Sequence, residues 1–598
     1  MMRVAAVRMS RTAVCAIMMC FVSGHDFSRA DAQANRIGAS APEGNARSTL
    51  RIGMWTLRHD RELTIAPAGR AELRACERCP SHLLTRALTI RASGNQIRGA
   101  ETSPQCELIV TGNYAVTSHR ESDTLHHALA ITARNGELIL AVTLPVETYV
   151  ERVVASESGP ADTAESLKAL AIVVRTYALH VPHGHRDYDL CDSTHCQLLH
   201  WGGNPARAAA AHATALATAG ETIWFHHRPA LAYFNKDCGG YSAAPDEIWP
   251  AAKPVPYLPS RPDPWCARAG GSDWASELSR KDLAAALAAR GLAQPGWRQL
   301  EVAGRAASGR ALAVRVDARE IPAEDFRLAV GAALGWNRIP STWFEVSRQG
   351  DRFYFHGRGW GHGVGLCQKG SALMAAQGRS AGEILNHYFP GAEAADDASG
   401  RAWQALSGAG FTLEALDSSA AQFLPELARA RAEASKLSGL DPAAVFTVRA
   451  FPTASAFRNA TLAPGWVAAF TEGDWIATQP LPILSARHLL ESTLRHEFLH
   501  ALVERQCGTR TPLWLREGLV ELWADPNQVA STLARRTPGE PQASVDPALA
   551  HAVTEAQSAA AHRDAAIYAA QLLARYGREQ VLGWLRSGVP AGVVSALR

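Results

Sequence analysis

Two histidines and a glutamate in the C-terminal part of the chain stand in the order H-E-x-x-H, at His496, Glu497 and His500. Residues four apart on a helix share one face, so both imidazoles can bind one Zn²⁺ ion while Glu497 activates a water molecule. Glu517 follows in an apolar stretch that predicts a second helix, and there it is placed to be the third ligand. Without an ion, burying these polar groups would cost free energy. The spacing therefore predicts a hydrolytic zinc centre.

Glu157 is the second residue whose setting suggests catalysis. It stands just before Ser158, Gly159 and Pro160, and we predict that it lies in a turn from which its carboxyl reaches a cleft. One carboxyl can protonate a leaving oxygen and then, as a carboxylate, take a proton from another group. Glu157 is therefore a candidate acid and base.

A helix is predicted directly after this turn, at residues 163–180. Asp162 and Glu165 are expected to cap its start. Its apolar side chains recur at helical spacing, at Leu167, Leu170, Val174 and Tyr177.

A glycine-rich segment at residues 359–370 holds His362 and Gln368. Its alternating glycines let the backbone approach a ligand closely, which makes both side chains candidates for contact with a substrate. The segment is not a phosphate-binding loop, because the terminal Lys-Ser/Thr pair is missing.

The segments at residues 147–160, 233–240 and 359–370 together resemble the SpoIID/LytB family. The likeness runs from Leu144 to Pro390. It implies a lytic transglycosylase that cleaves the MurNAc-GlcNAc strands of peptidoglycan and leaves 1,6-anhydro ends, because the 6-hydroxyl of the sugar replaces the second carboxylate or water of a hydrolase. In some relatives it implies enhancement of a cell-wall amidase. The resemblance makes Glu157 catalytic and implies a substrate-binding set of Lys168, Arg175, Tyr177, His362 and Gln368.

A cluster of soft ligands lies between these segments, at His185, Cys191, His195 and Cys196. Two thiolates and two imidazoles can hold one Zn²⁺ ion tetrahedrally. In an exported protein, Cys191 and Cys196 could instead form a disulfide. Some relatives resemble this arrangement and hold zinc there.

The C-terminal pattern of His496, His500 and Glu517 resembles the gluzincin metallopeptidases. Residues 568–577 look like the helical tail of exported members of that group. The resemblance implies a mainly α-helical zinc peptidase domain, with Glu497 as the general base.

The length of 598 residues predicts several domains. We expect a mixed α/β (α+β) region at residues 50–391, with a β-rich part at 50–143 and a catalytic part at 144–391. A linker is predicted at 392–410, before the peptidase-like domain at 411–598.

The first 32 residues read as a secretory signal peptide. Arg3, Arg8 and Arg11 precede a short apolar run at 13–22, and small residues follow at 30–32. We therefore expect a protein that is secreted, periplasmic or otherwise in the cell envelope, with no stable membrane span after cleavage of the signal. An uncleaved anchor is the alternative.

The formal net charge of +3 and the absence of a basic block exclude a nucleic-acid partner. Nine cysteines remain after the signal. We expect a Cys238–Cys266 disulfide, and a local Cys76–Cys79 bond or one between this pair and Cys106.

Two other functions fit the same residues. The region at 50–391 could bind peptidoglycan and activate a separate amidase, with Glu157 idle. Alternatively, the C-terminal domain could be the sole enzyme, anchored to the wall by the first region.

Overall fold

The computed structural model describes residues 48–99, 102–118, 121–181, 184–441, 443–525, 545–550 and 554–595. The predicted signal peptide at 1–32 lies outside these ranges. Among the helices they contain, none has the length and apolar character to cross a membrane.

Within the described residues, the strands of the N-terminal part join in one sheet, in agreement with the β-rich prediction for 50–143. Along β9, every second side chain is buried, as expected for a strand with one face on a core. The sheet order is β11-β1-β10-β9-β7-β2-β4-β5-β6, with β3 beside β2 and β8 beside β7. The strands are β1 (Thr49–Met54), β2 (Glu62–Arg74), β3 (His82–Leu83), β4 (Leu88–Ser93), β5 (Gln96–Gly99), β6 (Thr102–Gln105), β7 (Glu107–Thr117), β8 (Ser122–Leu125), β9 (Leu129–Arg134), β10 (Glu137–Pro145) and β11 (Leu190–Cys191).

Three helices pack on this sheet and share its core. They are α1 (Val146–Glu157), α2 (Ala164–His180) and α3 (Pro205–Ala217). Helix α2 matches the predicted helix closely, but its cap differs from the expected Asp162 and Glu165 pair. Thr163 is the N-cap, and its backbone N–H donates to Ser166 Oγ over 3.0 Å.

Short strands and helices complete the region that carries the glycine-rich segment. They are β12 (Glu221–Phe225), β13 (Arg228–Pro229), β14 (Phe234–Asn235), β15 (Tyr241–Ser242), α4 (Pro245–Ile248), β16 (Arg261–Pro262) and α5 (Pro264–Ala269). After residue 365 follow β23 (Leu366–Cys367), α8 (Gln368–Ala376), α9 (Ala381–Tyr388) and β24 (Glu393–Asp396). Parallel pairing of β14 with β23 joins two segments that both carry motif residues.

An inserted unit with its own apolar core lies between α5 and β23. It comprises β17 (Asp273–Ser279), α6 (Arg280–Ala289), β18 (Leu300–Arg305), β19 (Ala311–Val316), β20 (Arg319–Pro322), α7 (Ala323–Leu334), β21 (Phe344–Gln349) and β22 (Arg352–Arg358). Its strands form two small sheets, β17-β22-β21 and β18-β19-β20.

The C-terminal unit combines helices with a mixed sheet of order β25-β26-β27-β29-β28, which the sequence did not predict. Its strands are β25 (Gln404–Gly408), β26 (Phe411–Ala415), β27 (Phe446–Ala450), β28 (Ala469–Glu472) and β29 (Trp475–Thr478). The helices are α10 (Leu424–Ser438), α11 (Ala454–Thr461), α12 (Leu481–Ala486), α13 (Leu490–Glu504), α14 (Leu513–Ala524), α15 (Val545–Ala550), α16 (Glu555–Tyr576), α17 (Arg578–Ser587) and α18 (Ala591–Ser595), with a 3-10 helix at Ser418–Phe423. The predicted linker at 392–410 contains β24 and β25.

The first and last units pack against each other. Leu216 and Ala219 share a buried apolar cluster with residues of the C-terminal unit, namely Phe451, Phe457, Ala460, Trp475 and Ala477. His212 bridges the two units, with Nδ1 at 2.9 Å from Glu151 on α1 and Nε2 at 3.0 Å from Glu472 on β28. The interface therefore combines a buried apolar cluster of its own with hydrogen bonds between the two units.

Helices α1 and α2 are joined by a buried ion pair. The Nε of Arg175 donates to Glu147 Oε1 over 3.0 Å, and its Nη1 donates to the Glu221 carbonyl over 3.1 Å. Arg175 is fully buried. A second ion pair on the same helix, between Lys168 and Glu165, is partly exposed at 2.8 Å.

These two ion pairs allow the contributions of a buried and an exposed pair to stability to be compared on one helix, α2. Arg175→Ala leaves Glu147 buried without its partner, so the free energy of unfolding should fall by about 3 to 5 kcal/mol. Lys168→Ala removes an exposed pair and should cost at most about 1 kcal/mol. Urea denaturation of the full chain measures both; equal losses would show that Arg175 does not hold the helices together.

Candidate functional site

A cleft of about 560 Å³ lies between the end of α1, the loop at 192–201 and the segment at 360–362. Glu157 lies at its wall. It is the last residue of α1 and not part of a turn, contrary to the sequence prediction. The wall also includes Tyr177, Cys196, Gln197, Leu198, His200, Trp201, Tyr233, Lys236, Arg327, Trp336, Trp360 and His362.

The carboxyl of Glu157 is held by a backbone hydrogen bond. Its Oε1 accepts a hydrogen bond of 3.3 Å from the backbone N–H of Leu198. Burial raises the pKa of Glu157 to about 7, although the Leu198 hydrogen bond and the charge of Lys236 lower it in part. A carboxyl with such a pKa can give and take a proton at neutral pH.

His362 faces the cleft beside aromatic rings. Its ring lies 5.2 Å from that of Trp249 and 6.3 Å from that of Tyr233, centroid to centroid. The Nδ1 atom accepts a 3.0 Å hydrogen bond from the Val364 N–H. Burial lowers the pKa of His362 to about 4, so the imidazole is neutral at pH 7. In that tautomer Nε2 carries the proton, and the ring also makes a hydrogen bond to the backbone of Phe234.

The predicted substrate-binding residues separate into two groups. Tyr177 and His362 line the cleft. Gln368 supports it from behind, because its Nε2 donates to the Glu157 carbonyl over 3.3 Å. Lys168 pairs with Glu165, and Arg175 is enclosed by its contacts with Glu147, and neither is among the residues that line the cleft.

Sequence reasoning missed several residues of the cleft. Lys236 lies over the Trp360 ring at 5.2 Å, and both occur in the motif segments, so the motifs were a usable signal. Arg327 and Trp336 come from the inserted unit, and no local pattern marks them. Arg327 pairs with Glu324, Nε to Oε2, over 2.8 Å.

The predicted histidine and cysteine cluster forms beside the cleft. One ligand atom from each of its four residues lies within 4.8 Å of the others. His185 Nε2 is 3.2 Å from Cys196 Sγ, and His195 Nδ1 is 3.8 Å from Cys191 Sγ. Cys191 and Cys196 are not bonded to each other. Two sulfur and two nitrogen donors at this spacing fit a tetrahedral zinc ion.

In the C-terminal unit, α13 and α14 bring the H-E-x-x-H residues to Glu517. The Nε2 atoms of His496 and His500 lie 3.0 Å apart. His500 Nε2 is 3.6 Å from Glu517 Oε2. Burial and the neighbouring His500 lower the pKa of His496 to about 3, so His496 is neutral. Two imidazoles and a carboxylate are the donor types of a catalytic zinc site.

Three further residues surround this group and were not predicted. His562 on α16 places Nε2 at 3.3 Å from Glu517 Oε2. Glu521 Oε2 is 3.8 Å from His496 Nδ1, where a carboxylate can orient the ring. Thr471 on β28 donates to Glu497 Oε2 over 2.7 Å.

Two family models match this chain. Residues 134–225 match SpoIID, described as Stage II sporulation protein, and they include α1, α2, Glu157 and the histidine and cysteine cluster. Residues 272–365 match DUF8618, a domain of unknown function, and coincide with the inserted unit. The chain thus carries a SpoIID domain.

Relatives of this chain include sporulation proteins. It is 27% identical over 277 residues to Stage II sporulation protein D of Bacillus amyloliquefaciens, covering 42% of this chain and 74% of that protein. It is 28% identical over 265 residues to an uncharacterized protein of Brachyspira hyodysenteriae, covering 44% and 70%. It is 22% identical over 291 residues to the amidase enhancer of Bacillus subtilis, covering 40% and 39%.

Proposed function

We propose, from the SpoIID domain and its homology to Stage II sporulation protein D, that the region at 50–391 is a lytic transglycosylase acting on peptidoglycan glycan strands. The observation that carries the proposal is the carboxyl of Glu157, placed at the wall of a cleft with a pKa of about 7. The SpoIID family is associated with cell-wall lytic activity, so the chemistry fits the homology. The predicted signal peptide would deliver the protein to the cell envelope.

In this proposal Glu157 acts twice. Protonated at neutral pH, it gives its proton to the glycosidic oxygen as the bond to C1 of the sugar breaks. As a carboxylate it then takes the proton of the 6-hydroxyl of the same sugar, whose oxygen bonds to C1 and closes the 1,6-anhydro ring. Lys236 lowers the pKa of Glu157, so its cation stabilises the carboxylate between the two steps.

The remaining cleft residues have roles suited to a sugar polymer. The rings of Tyr177, Tyr233 and Trp360 offer apolar faces to sugar rings. A zinc ion held by His185, Cys191, His195 and Cys196 would fix the loop that carries Leu198. That ion would be structural.

The likeness to an amidase enhancer supports a second function for the same cleft, in which it binds peptidoglycan and activates a wall amidase. Both functions need the glycan to bind. Only the first function, cleavage of the glycan, needs proton transfer by Glu157.

We also propose that the C-terminal unit is a zinc peptidase. A zinc ion held by His496, His500 and Glu517 would act as a Lewis acid and lower the pKa of water to about 7. Glu497, which accepts a hydrogen bond from Thr471, would then be the residue that takes a proton. Thr471 lies on β28, the edge strand of the sheet, and an edge strand can bind an extended peptide through its backbone.

Glu157→Gln tests the glycan proposal, because it keeps the shape of the side chain and removes proton transfer. Release of 1,6-anhydro products from purified denuded glycan should fall about a hundred- to ten-thousand-fold by mass spectrometry. Glu165→Gln, outside the cleft, is the control and should retain the wild-type rate. Undiminished release by Glu157→Gln would reject the assignment; absence of anhydro products from the wild type, together with amidase stimulation by both proteins, would favour the enhancer.

The raised pKa of Glu157 gives an independent test by stability. The unfolded carboxyl titrates near 4.5, whereas the folded one keeps its proton to about pH 7. Below pH 4.5 both states are protonated, and as the pH rises to 7 the wild type loses stability because folding then buries a charge or retains a proton. Urea denaturation of Glu157→Gln should show a gain over wild type that grows between pH 4.5 and 7 and then levels off. A pH-independent difference would contradict the raised pKa.

Three variants of α13 test the peptidase proposal. Glu497→Gln should abolish cleavage of a peptide library and leave zinc bound, because Glu497 is not a ligand. His500→Ala should lose both cleavage and the one equivalent of zinc that this site would hold. Glu504→Gln is a control on the same helix; its carboxylate accepts a hydrogen bond from the Gly473 N–H. Metal analysis and peptide mass spectrometry give the readouts, and a folded C-terminal unit that takes up no zinc in the wild-type chain would refute the proposal.

A further inference from the structure

A second group of sulfur ligands lies beneath the glycan cleft, apart from the two sites above. It consists of Cys238, Asp263, Cys266 and Cys367, whose ligand atoms all lie within 4.8 Å of one another. Asp263 is 1% exposed and the three cysteines are fully buried. In a tetrahedral zinc site with bonds of 2.3 Å, sulfur atoms are about 3.8 Å apart. The group therefore already has the dimensions of a closed metal site.

Three segments distant in sequence supply these ligands. Cys238 follows β14, Cys367 ends β23, and Asp263 is the N-cap of α5, which carries Cys266. The backbone N–H of Cys238 donates to Cys367 Sγ over 3.3 Å. Hydrogen bonds from backbone N–H groups to sulfur are the kind that stabilise thiolate ligands of a metal.

A disulfide would use fewer of the four donor atoms in this group than a metal ion would. The sequence predicted a Cys238–Cys266 bond, but the structure holds all three cysteines unbonded. One disulfide would use two of the sulfurs and leave the third beside the carboxylate of Asp263, with Cys238 Sγ already 3.3 Å from Asp263 Oδ2. A single ion uses all four donors.

The surroundings supply the second layer of contacts that metal sites require. Asp263 Oδ1 accepts the N–H groups of Trp265 and Cys266, and Oδ2 accepts the Tyr388 hydroxyl over 2.9 Å. These bonds fix the direction of the carboxylate. Fully buried Arg310 donates to the Cys238 carbonyl over 2.9 Å, which places a positive charge beside a group of anionic ligands.

We propose that Cys238, Asp263, Cys266 and Cys367 bind a structural Zn²⁺ ion that fixes the floor of the cleft. Four protein donors leave no open coordination position, which is the mark of a structural site. Two residues before Cys238 is Lys236, and directly after Cys367 is Gln368, which holds the carbonyl of Glu157. The ion thus joins the strands that position both residues beside the acid and base.

The test uses the full chain in a background that removes the other two ligand sets, Cys191→Ser with Cys196→Ser and His500→Ala with Glu517→Ala. After loading with Zn²⁺, this protein should retain one equivalent of metal, and with Co²⁺ it should show the absorption of tetrahedral cobalt bound to thiolates. Adding Cys238→Ser should remove both signals. Adding Cys106→Ser, at an exposed position outside the group, should leave them unchanged.

Two results would overturn the proposal. One is a background protein that is folded by circular dichroism and takes up neither Zn²⁺ nor Co²⁺. The other is a Cys238–Cys266 or Cys238–Cys367 disulfide found by peptide mapping of protein isolated from the cell envelope. If Cys238→Ser does not fold, the melting temperature of the background protein decides: it should fall on addition of a chelator, and an unchanged value would refute the site.

Discussion

The buried ion pair between Glu147 and Arg175 is the contact on which the arrangement of the cleft depends. It locks α1 to α2 and to β12 near the start of α1. Glu157 lies ten residues further along α1, about 15 Å away at 1.5 Å per residue. A helix transmits position rigidly over that distance, so the pair at one end determines where the carboxyl lies at the other. The pairing with Glu147 also explains why Arg175, a charged residue of the motif, can be fully buried.

The sequence predicted which residues belong to the cleft better than it predicted how they are arranged. The limits of α2 were predicted within one residue, because its apolar spacing is regular. Glu157 was assigned to a turn, although Val146, Val150 and Val153 have the spacing of a buried helical face that α1 indeed shows. The partner of Arg175 lies 28 residues earlier, and no local pattern reveals such a pairing. Arg327 reaches the cleft only because the inserted unit folds against it.

For the C-terminal unit, too, the sequence predicted residues of the candidate site better than contacts between elements. The spacing of His496 and His500 follows from helical periodicity, so the sequence alone predicts that their side chains meet. The approach of His562 to Glu517 depends on how α16 packs across α14. The sheet of this unit was not predicted, because its strands are short and lie between helices. Sequence patterns therefore predict chemistry that lies within one helix, whereas contacts between elements require the tertiary structure.

His212 gives the two units a fixed geometry. Its hydrogen bonds to Glu151 and Glu472 raise the pKa of His212 to about 10, so a cation lies between two carboxylates at neutral pH. Glu151 is on the helix that ends at Glu157, and Glu472 is next to Thr471, which holds Glu497. The two sites are thus parts of one body and are not joined by a flexible tether. A ligand long enough to reach both sites would meet them at a separation that the fold sets.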